Sequence, residues 1–140
     1  MEILIKQFAE EDLEPLNAAI PDRHHQKRLE SQLAGKSNYL IAWQDGVPVG
    51  HVDVKWEPES ELVREKVPDC PELNALHVSP EKRSQGIGSK IIAEAEDFVK
   101  GRGYSKVGLG VDLDNEKAQS LYERLGYQDW GFGVYHDQWV

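Results

Sequence analysis

The chain has 140 residues and carries 16 Lys and Arg against 25 Asp and Glu, a formal net charge of −9. That is the length of a single domain, residues 1–140, and the acidic balance argues against a protein whose main task is holding nucleic acid or an anionic membrane surface. One cysteine excludes an internal disulfide, and the sequence shows neither an export signal nor a long apolar run, so we expect a cytoplasmic protein.

The first half of the chain predicts a strand, two helices and a hairpin. Apolar alternation and helical spacing place them at residues 3–5, 10–20, 23–34, 39–43 and 47–56. Pro21 ends the first helix, and Asp45-Gly46 is a strong turn signal between two antiparallel strands. The second helix is polar, with Leu29 and Leu33 four residues apart, which is typical of a helix lying on the surface.

The second half of the chain alternates strand and helix, which is typical of an α/β domain. Before it, residues 57–70 are charged and contain Pro58 and Pro68, so we interpret this stretch as a mobile loop. The predicted elements after the loop are strands at 73–78 and 106–111, helices at 86–102 and 115–125, and strand-like segments at 128–130 and 134–139.

Residues 78–90 run from a strand through a polar, glycine-bearing loop into a helix. The first turn of a helix presents backbone N–H groups without internal partners, and the helix dipole adds partial positive charge there. Gly86 and Gly88 let an anion approach these amides, while Lys82 and Arg83 place cations at the rim. The spacing matches neither the dinucleotide fingerprint nor the P-loop. It favours a phosphate site of another kind, with an ordinary strand-to-helix turn as the alternative.

Two motifs extend this pattern. The loop reads Val78-x-Pro80-x-x-Arg83-x-x-Gly86-x-Gly88, and a later helix reads Asn115-x-x-Ala118-x-x-Leu121-Tyr122-Glu123-x-Leu125-Gly126-Tyr127. In this order and separation the two motifs resemble the GNAT superfamily of N-acetyltransferases, over about residues 71–127. The resemblance implies a mixed α/β fold with a largely antiparallel sheet of about 6–7 strands flanked by about 4 helices. It also implies that the sheet is splayed where acyl-CoA binds, and that acetyl-CoA is the acyl donor.

The resemblance further implies how individual residues hold coenzyme A. Loop amides would bind the pyrophosphate, and a bulged strand would pair with pantetheine and free an amide near Leu76 for the thioester carbonyl. Asn115 would help to place the pantetheine arm. The implied cofactor-binding residues are Leu76, His77, Val78, Arg83, Ser84, Gln85, Gly86, Ile87, Gly88, Ser89 and Asn115.

Two side chains are candidates for proton transfer. Tyr122 matches the family tyrosine that donates a proton to the leaving thiolate, although its apolar helix face also suits a core residue. Glu72, at the start of the strand before the loop, is our candidate for the base that takes the amine proton, directly or through water. A merely solvated Glu72 and a catalytic His77 are the alternatives.

The sequence therefore predicts transfer of an acetyl group from acetyl-CoA to a primary amine by direct attack. The net charge favours a cationic small molecule or peptide as the acceptor. We find no Cys, His and carboxylate cluster at ligand spacing and expect no metal, no nucleic acid and no membrane partner, while a homodimer is left open. The rival hypotheses are a non-catalytic acyl-CoA sensor and a nucleotide-binding or interaction module of another fold.

Overall fold

The computed structural model describes residues 2–58, 61–110, 116–128 and 138–139. Short 3-10 turns at Glu10–Asp12 and Pro80–Lys82 precede the first helix and follow the fourth strand. The elements are β1 (Leu4–Gln7), α1 (Leu13–Ala19), α2 (His25–Leu33), β2 (Ser37–Gln44), β3 (Val47–Lys55), α3 (Glu61–Lys66), β4 (Glu72–Val78), α4 (Ile87–Gly101), β5 (Gly108–Gly110), α5 (Glu116–Arg124) and β6 (Gln138–Trp139).

The six strands form one sheet in which the order in space is the order along the chain. Neighbouring strands are antiparallel except β4 and β5, which are parallel and are connected through α4. Asp45 and Gly46, with φ of 53° and 77°, form the predicted hairpin turn between β2 and β3. The predicted mixed, largely antiparallel sheet flanked by helices is confirmed, at the lower end of the expected number of strands.

The parallel pair β4 and β5 is joined only near the start of β4 within the described residues. Glu72 pairs with Gly108 and Leu73 pairs with Leu109. From there β4 continues to Val78, where its ladder partners lie in β3. The edge of β4 that faces β5 is therefore where the splay implied by the resemblance falls.

A bulge interrupts β4 in its middle. Ala75 and Leu76 together lie opposite a single residue of β3, Val52, because the register shifts between the flanking pairs. Ala75 has φ of 52°, a left-handed conformation that costs an L-residue about 1–2 kcal/mol. The flanking pairs are Gly50 with Val78, His51 with His77, and Asp53 with Asn74. The bulge expected near Leu76 is confirmed.

The core consists of two clusters of buried side chains. The larger contains apolar residues of β2 to β5 and the helical stripe of α4, with Ile91 and Ala95 completely buried. The smaller contains Phe8, Leu16, Ile20, Leu29, Tyr39 and Ile41, where α1 and α2 pack on the sheet. The larger cluster includes Leu73 and packs against Leu76 and Val78, so it fixes the position of β4, the strand that leads into the glycine loop.

The expectation of a loop over residues 57–70 is wrong in part, and α2 buries a residue that its leucine spacing does not indicate. Residues 61–66 form α3 rather than part of a loop, because Val63 gains a buried position and Glu61 and Lys66 suit the two ends of the helix dipole. In α2, Leu33 is 75% exposed, and the buried residues are His25 and Leu29. The inward face of α2 is shifted by one turn, because His25 packs on the sheet.

No helix in the described ranges combines the length and the apolar character needed to cross a bilayer.

Candidate active site

The glycine loop leads from β4 into α4 and leaves the start of that helix uncapped. Ser84 and Gly86 take left-handed conformations, with φ of 65° and 81°, and Gly86 is the N-cap of α4. Within the described part of the chain no side chain caps this helix, whose first bond runs from the Lys90 N–H to the Gly86 carbonyl at 3.2 Å. The amides of residues 87–89 therefore have no acceptor within the helix and can bind an anion.

The space around the two glycines is open. A Cβ added at Gly86 would meet no atom within 4 Å, and one at Gly88 would touch only the Val78 Cγ2 at 3.8 Å. The Arg83 Nε donates to the Val78 carbonyl at 2.9 Å, which ties the loop to the end of β4. The buried side chain of Ile87 anchors the first turn of α4. The helix start is therefore open beside both glycines.

A cavity of about 330 Å³ lies beside the bulge, on the side covered by α1 and α2. Among the described residues its charged lining groups are Asp22, Glu81 and Arg28; Arg28 pairs with Asp22 at 3.0 Å, which leaves Glu81 as the excess negative charge. Its wall also includes residues 19–21, His51, residues 75–77, Ser79 and Pro80. The cavity therefore reaches the bulged part of β4, where the sequence analysis expects a freed amide near Leu76.

The predicted cofactor-binding residues of β4 and the loop are brought together by the strand-to-helix turn. Leu76, His77 and Val78 form the second half of β4, and residues 83–89 follow it directly. Asn115 lies outside the described residues.

Glu72 and His77 lie at different places along β4. Glu72 is 6% exposed and opens the strand, four residues before Leu76, a distance of about 13 Å along an extended chain. It does not line the cavity, so water would have to relay a proton to it. His77 lines the cavity, and burial together with the neighbouring Arg83 lowers its pKa, which keeps the ring neutral.

Tyr122 lies on the inner face of α5 and is 8% exposed. It belongs to the larger core cluster, which also contains Leu73 and has Leu76 packed against it. Its ring meets Tyr127 edge to face, with 6.2 Å between centroids. Burial raises the pKa of Tyr122, so the hydroxyl keeps its proton at neutral pH. Both hypotheses for Tyr122, core residue and proton donor, are compatible with this position.

A buried polar network beside the cavity was missed by the sequence analysis. Asp22, His25 and His51 bring possible ligand atoms within 4.8 Å of one another. Both ring nitrogens of His25 are engaged, however, with the Tyr39 hydroxyl at 2.9 Å and the Ile20 carbonyl at 2.7 Å. Arg28 donates to Asp22 and to the Tyr39 hydroxyl, each at 3.0 Å. The group is thus a hydrogen-bonded network in which Asp22, His25 and Arg28 meet Tyr39 of β2, and no local motif reveals it.

A model of the acetyltransferase (GNAT) family matches residues 3–127 of this chain. An uncharacterized N-acetyltransferase of Methanocaldococcus jannaschii is 31% identical over 96 residues, which cover 67% of this chain and 40% of that protein. The chain spans less than half the length of this and the next curated relatives.

Solved structures share the fold over nearly the whole chain. AAC(6')-Iy in complex with the bisubstrate analogue CoA-S-monomethyl-acetylneamine has a TM-score of 0.78 at 19% identity, covering 96% of this chain and 97% of that one. PaiA N-acetyltransferase from Thermoplasma acidophilum in complex with coenzyme A has a TM-score of 0.72 at 21% identity, covering 99% and 96%. At these identities the likeness concerns the fold.

Proposed function

Because the chain belongs to the acetyltransferase (GNAT) family, we propose that it transfers an acetyl group from acetyl-CoA to a primary amine. The amine nitrogen attacks the thioester carbonyl directly. A C–N bond forms, the C–S bond breaks, the nitrogen loses a proton, and the leaving thiolate gains one. The observation that carries the proposal is the bulged strand β4 leading into an uncapped helix start.

The donor site extends along β4 and the glycine loop. The amides of residues 87–89 and the open space at Gly86 suit the pyrophosphate of coenzyme A. Arg83 and Lys82 add positive charge at the rim. The second half of β4, from Leu76 to Val78, suits pantetheine as an additional strand, and the Leu76 amide suits the thioester carbonyl. Asn115 keeps its proposed role in placing the pantetheine arm.

Two side chains complete the chemistry. Glu72 takes the amine proton through water, with His77 as the nearer alternative because it lines the cavity. Burial keeps the Tyr122 hydroxyl protonated, and this hydroxyl gives its proton to the thiolate. The Leu76 amide stabilises the negative charge that develops on the carbonyl oxygen.

The cavity beside the bulge is the proposed acceptor site. Its excess carboxylate charge, from Asp22 and Glu81 against Arg28, favours an amine on a molecule of positive charge. The net charge of −9 points in the same direction. Aminoglycosides, polyamines and peptide N-termini are acceptors of this class, small enough or flexible enough to enter a cavity of about 330 Å³.

A matched pair of variants at Gly88 tests the donor site. Gly88→Asp puts a carboxylate at the anion site, so we expect it to abolish the thermal shift given by coenzyme A. The variant should fold, because an acidic residue suits the first turn of a helix. Gly88→Ala is the control: its Cβ meets only Val78 at an ordinary 3.8 Å, so coenzyme A should still stabilise the fold.

If coenzyme A raises the melting temperature of Gly88→Asp as much as that of the wild type, the loop is not part of the donor site. Catalysis is then measured as free thiol release from acetyl-CoA with a panel of polyamines, amino acids and peptides. If acetyl-CoA binds tightly but no acceptor leads to thiol release, the protein is an acyl-CoA sensor and not an enzyme.

A further inference from the structure

The bulge in β4 is held from the side by a histidine of β3. The bulge takes the Ala75 carbonyl out of the regular ladder, and the ring of His51 supplies it with a partner, Nδ1 lying 2.8 Å from the oxygen. A carbonyl oxygen can only accept, so Nδ1 carries the proton and donates it. His51 is 3% exposed, which makes this a buried hydrogen bond with a determined direction.

The ring of His51 is confined on several sides, so its Nδ1–H has one available orientation. It stacks on His77 with 5.2 Å between centroids and an interplanar angle of 24°. It meets His25 nearly edge to face at 5.5 Å, and Tyr39 lies 5.2 Å away. Burial lowers the pKa of His51 to about 3, with His77, Arg28 and His25 acting in the same direction and the bond to Ala75 opposing it. The ring is therefore neutral at every working pH.

The carbonyl that His51 holds and the Leu76 N–H belong to the same peptide group. This group is planar and trans, so its C=O and N–H point in opposite directions. Anchoring the oxygen fixes the direction of the N–H. A hydrogen bond to the oxygen also polarises the group and makes its N–H a stronger donor.

We propose that His51 is a positioning residue that acts through the Ala75–Leu76 peptide, orienting and polarising the Leu76 N–H toward the thioester carbonyl. The inference rests on the proposed function, in which this amide stabilises the developing oxyanion. His51 itself touches neither the donor nor the reacting atoms in this assignment. Its contribution belongs to the transition state and not to the binding of coenzyme A, which is held at the glycine loop.

Two substitutions of His51 separate the hydrogen bond from the packing. His51→Leu fills much of the space without a donor, and His51→Asn places an amide N–H two bonds from Cβ, as Nδ1 is. Loss of an oxyanion donor itself costs about 10²–10³-fold in kcat, so loss of its support should cost about 10–100-fold in His51→Leu. We expect His51→Asn to recover kcat to within about threefold of wild type, and the Kd of coenzyme A to change by less than about threefold in both.

Tyr39→Phe is the matched control. It removes a hydroxyl from the same buried network, where it bonds His25 and Arg28, but leaves the Ala75 carbonyl untouched. It should lower the melting temperature and keep the wild-type kcat of the folded enzyme. If Tyr39→Phe lowers kcat as much as His51→Leu, or if His51→Asn recovers nothing, the proposal is wrong.

A spectroscopic readout tests the same step without catalysis. The imidazole of His51 should show the Nδ1–H tautomer in long-range 1H–15N spectra, unchanged from pH 5 to 9. The amide proton of Leu76 should shift upfield in His51→Leu and return toward its wild-type position in His51→Asn. An Nε2–H tautomer, or an unmoved Leu76 amide, would overturn the proposal. If His51→Leu does not fold, His51→Gln replaces it. The amide nitrogen of glutamine lies one bond farther from Cβ than Nδ1 does, so it cannot take the place of Nδ1 at the Ala75 carbonyl.

These outcomes are distinguishable from failure of the proposed function. If the wild-type protein releases no thiol with any acceptor, the proposed acetyltransferase activity is wrong. The tautomer and the Leu76 shift would still report whether His51 controls this peptide.

Discussion

Tyr122 is a single residue for which core packing and catalysis make different predictions. Removing only its hydroxyl in Tyr122→Phe keeps the ring in the larger core cluster, where it contacts Tyr127 edge to face. If the hydroxyl protonates the thiolate, kcat should fall by about 10–100-fold while the Kd of acetyl-CoA stays nearly constant. The measurement is steady-state thiol release where chemistry limits the rate. An unaltered kcat would mean that Tyr122 is a core residue and not the proton donor.

Glu72 is the second residue whose role a substitution of nearly equal size can test. Glu72→Gln keeps the size of a side chain that is 6% exposed while removing its ability to take a proton. We expect kcat/KM to fall and the acidic limb of its pH profile to disappear. Comparing acceptors of different amine pKa separates the base from deprotonation of the substrate itself. His77→Gln is the parallel variant: if it removes the acidic limb and Glu72→Gln does not, the base is His77.

At this scale the sequence predicts residues within a motif better than residues that meet across the fold. The glycines of the loop and the bulge near Leu76 follow from local spacing and family resemblance. The contacts of His25 with Tyr39 and of His51 with Ala75 join different elements, across 14 and 24 residues. The first contact depends on how α2 lies on the sheet and the second on the bulge opposite β3, and the periodicity of one element alone contains neither.

The pairing of β3 with β4 depends on a close approach that only glycine permits. A Cβ at Gly50 would lie 2.7 Å from the His77 carbonyl oxygen and 2.9 Å from the Ile91 Cδ1. Gly50→Ala should therefore lower the free energy of unfolding by about 1–3 kcal/mol, through overpacking between two strands and α4. Chemical denaturation measures this change in the free energy of unfolding, and we expect the m-value to stay the same.

Gly101 provides the control for this substitution. It ends α4, and a Cβ there would meet nothing within 4 Å. Gly101→Ala should be neutral or stabilise by up to about 1 kcal/mol, because alanine favours the helix. Equal effects of the two substitutions would mean that the contact at Gly50 is relieved by small movements of β4.

Elements with strong local signals were the most predictable. The helix α4 shows apolar residues at helical spacing and the β2–β3 hairpin has Asp45-Gly46 at its turn, and both lie where they were expected. The helix α3 was missed because two prolines and a run of charges normally indicate a loop. Its one buried residue, Val63, is too weak a signal to be recognised in the sequence.

At the scale of the whole molecule, net charge should influence how fast the acceptor arrives. With a formal charge of −9, the field around the protein attracts cations. For a polyamine acceptor we expect kcat/KM to fall as salt rises, since surface charges are screened over about 8 Å at physiological ionic strength. Uncharged osmolyte at equal osmolality is the control. Faster acetylation of neutral or acidic amines than of polyamines at low salt would contradict this prediction.

The agreement between strand order in space and order along the chain has a consequence for how the protein folds. The β2–β3 hairpin closes the shortest loop, since Gln44 pairs with Val47, whereas Leu4 pairs with Trp43 across a segment that contains α1 and α2. The partnership of Leu73 with Leu109 closes a loop that contains the whole of α4. The β2–β3 hairpin is thus the part of the chain suited to form early. The donor site combines β4 with the start of α4, so its final shape depends on the longer closures that dock these two elements on the hairpin, and newly made chains acquire their ligand affinity after the hairpin has formed.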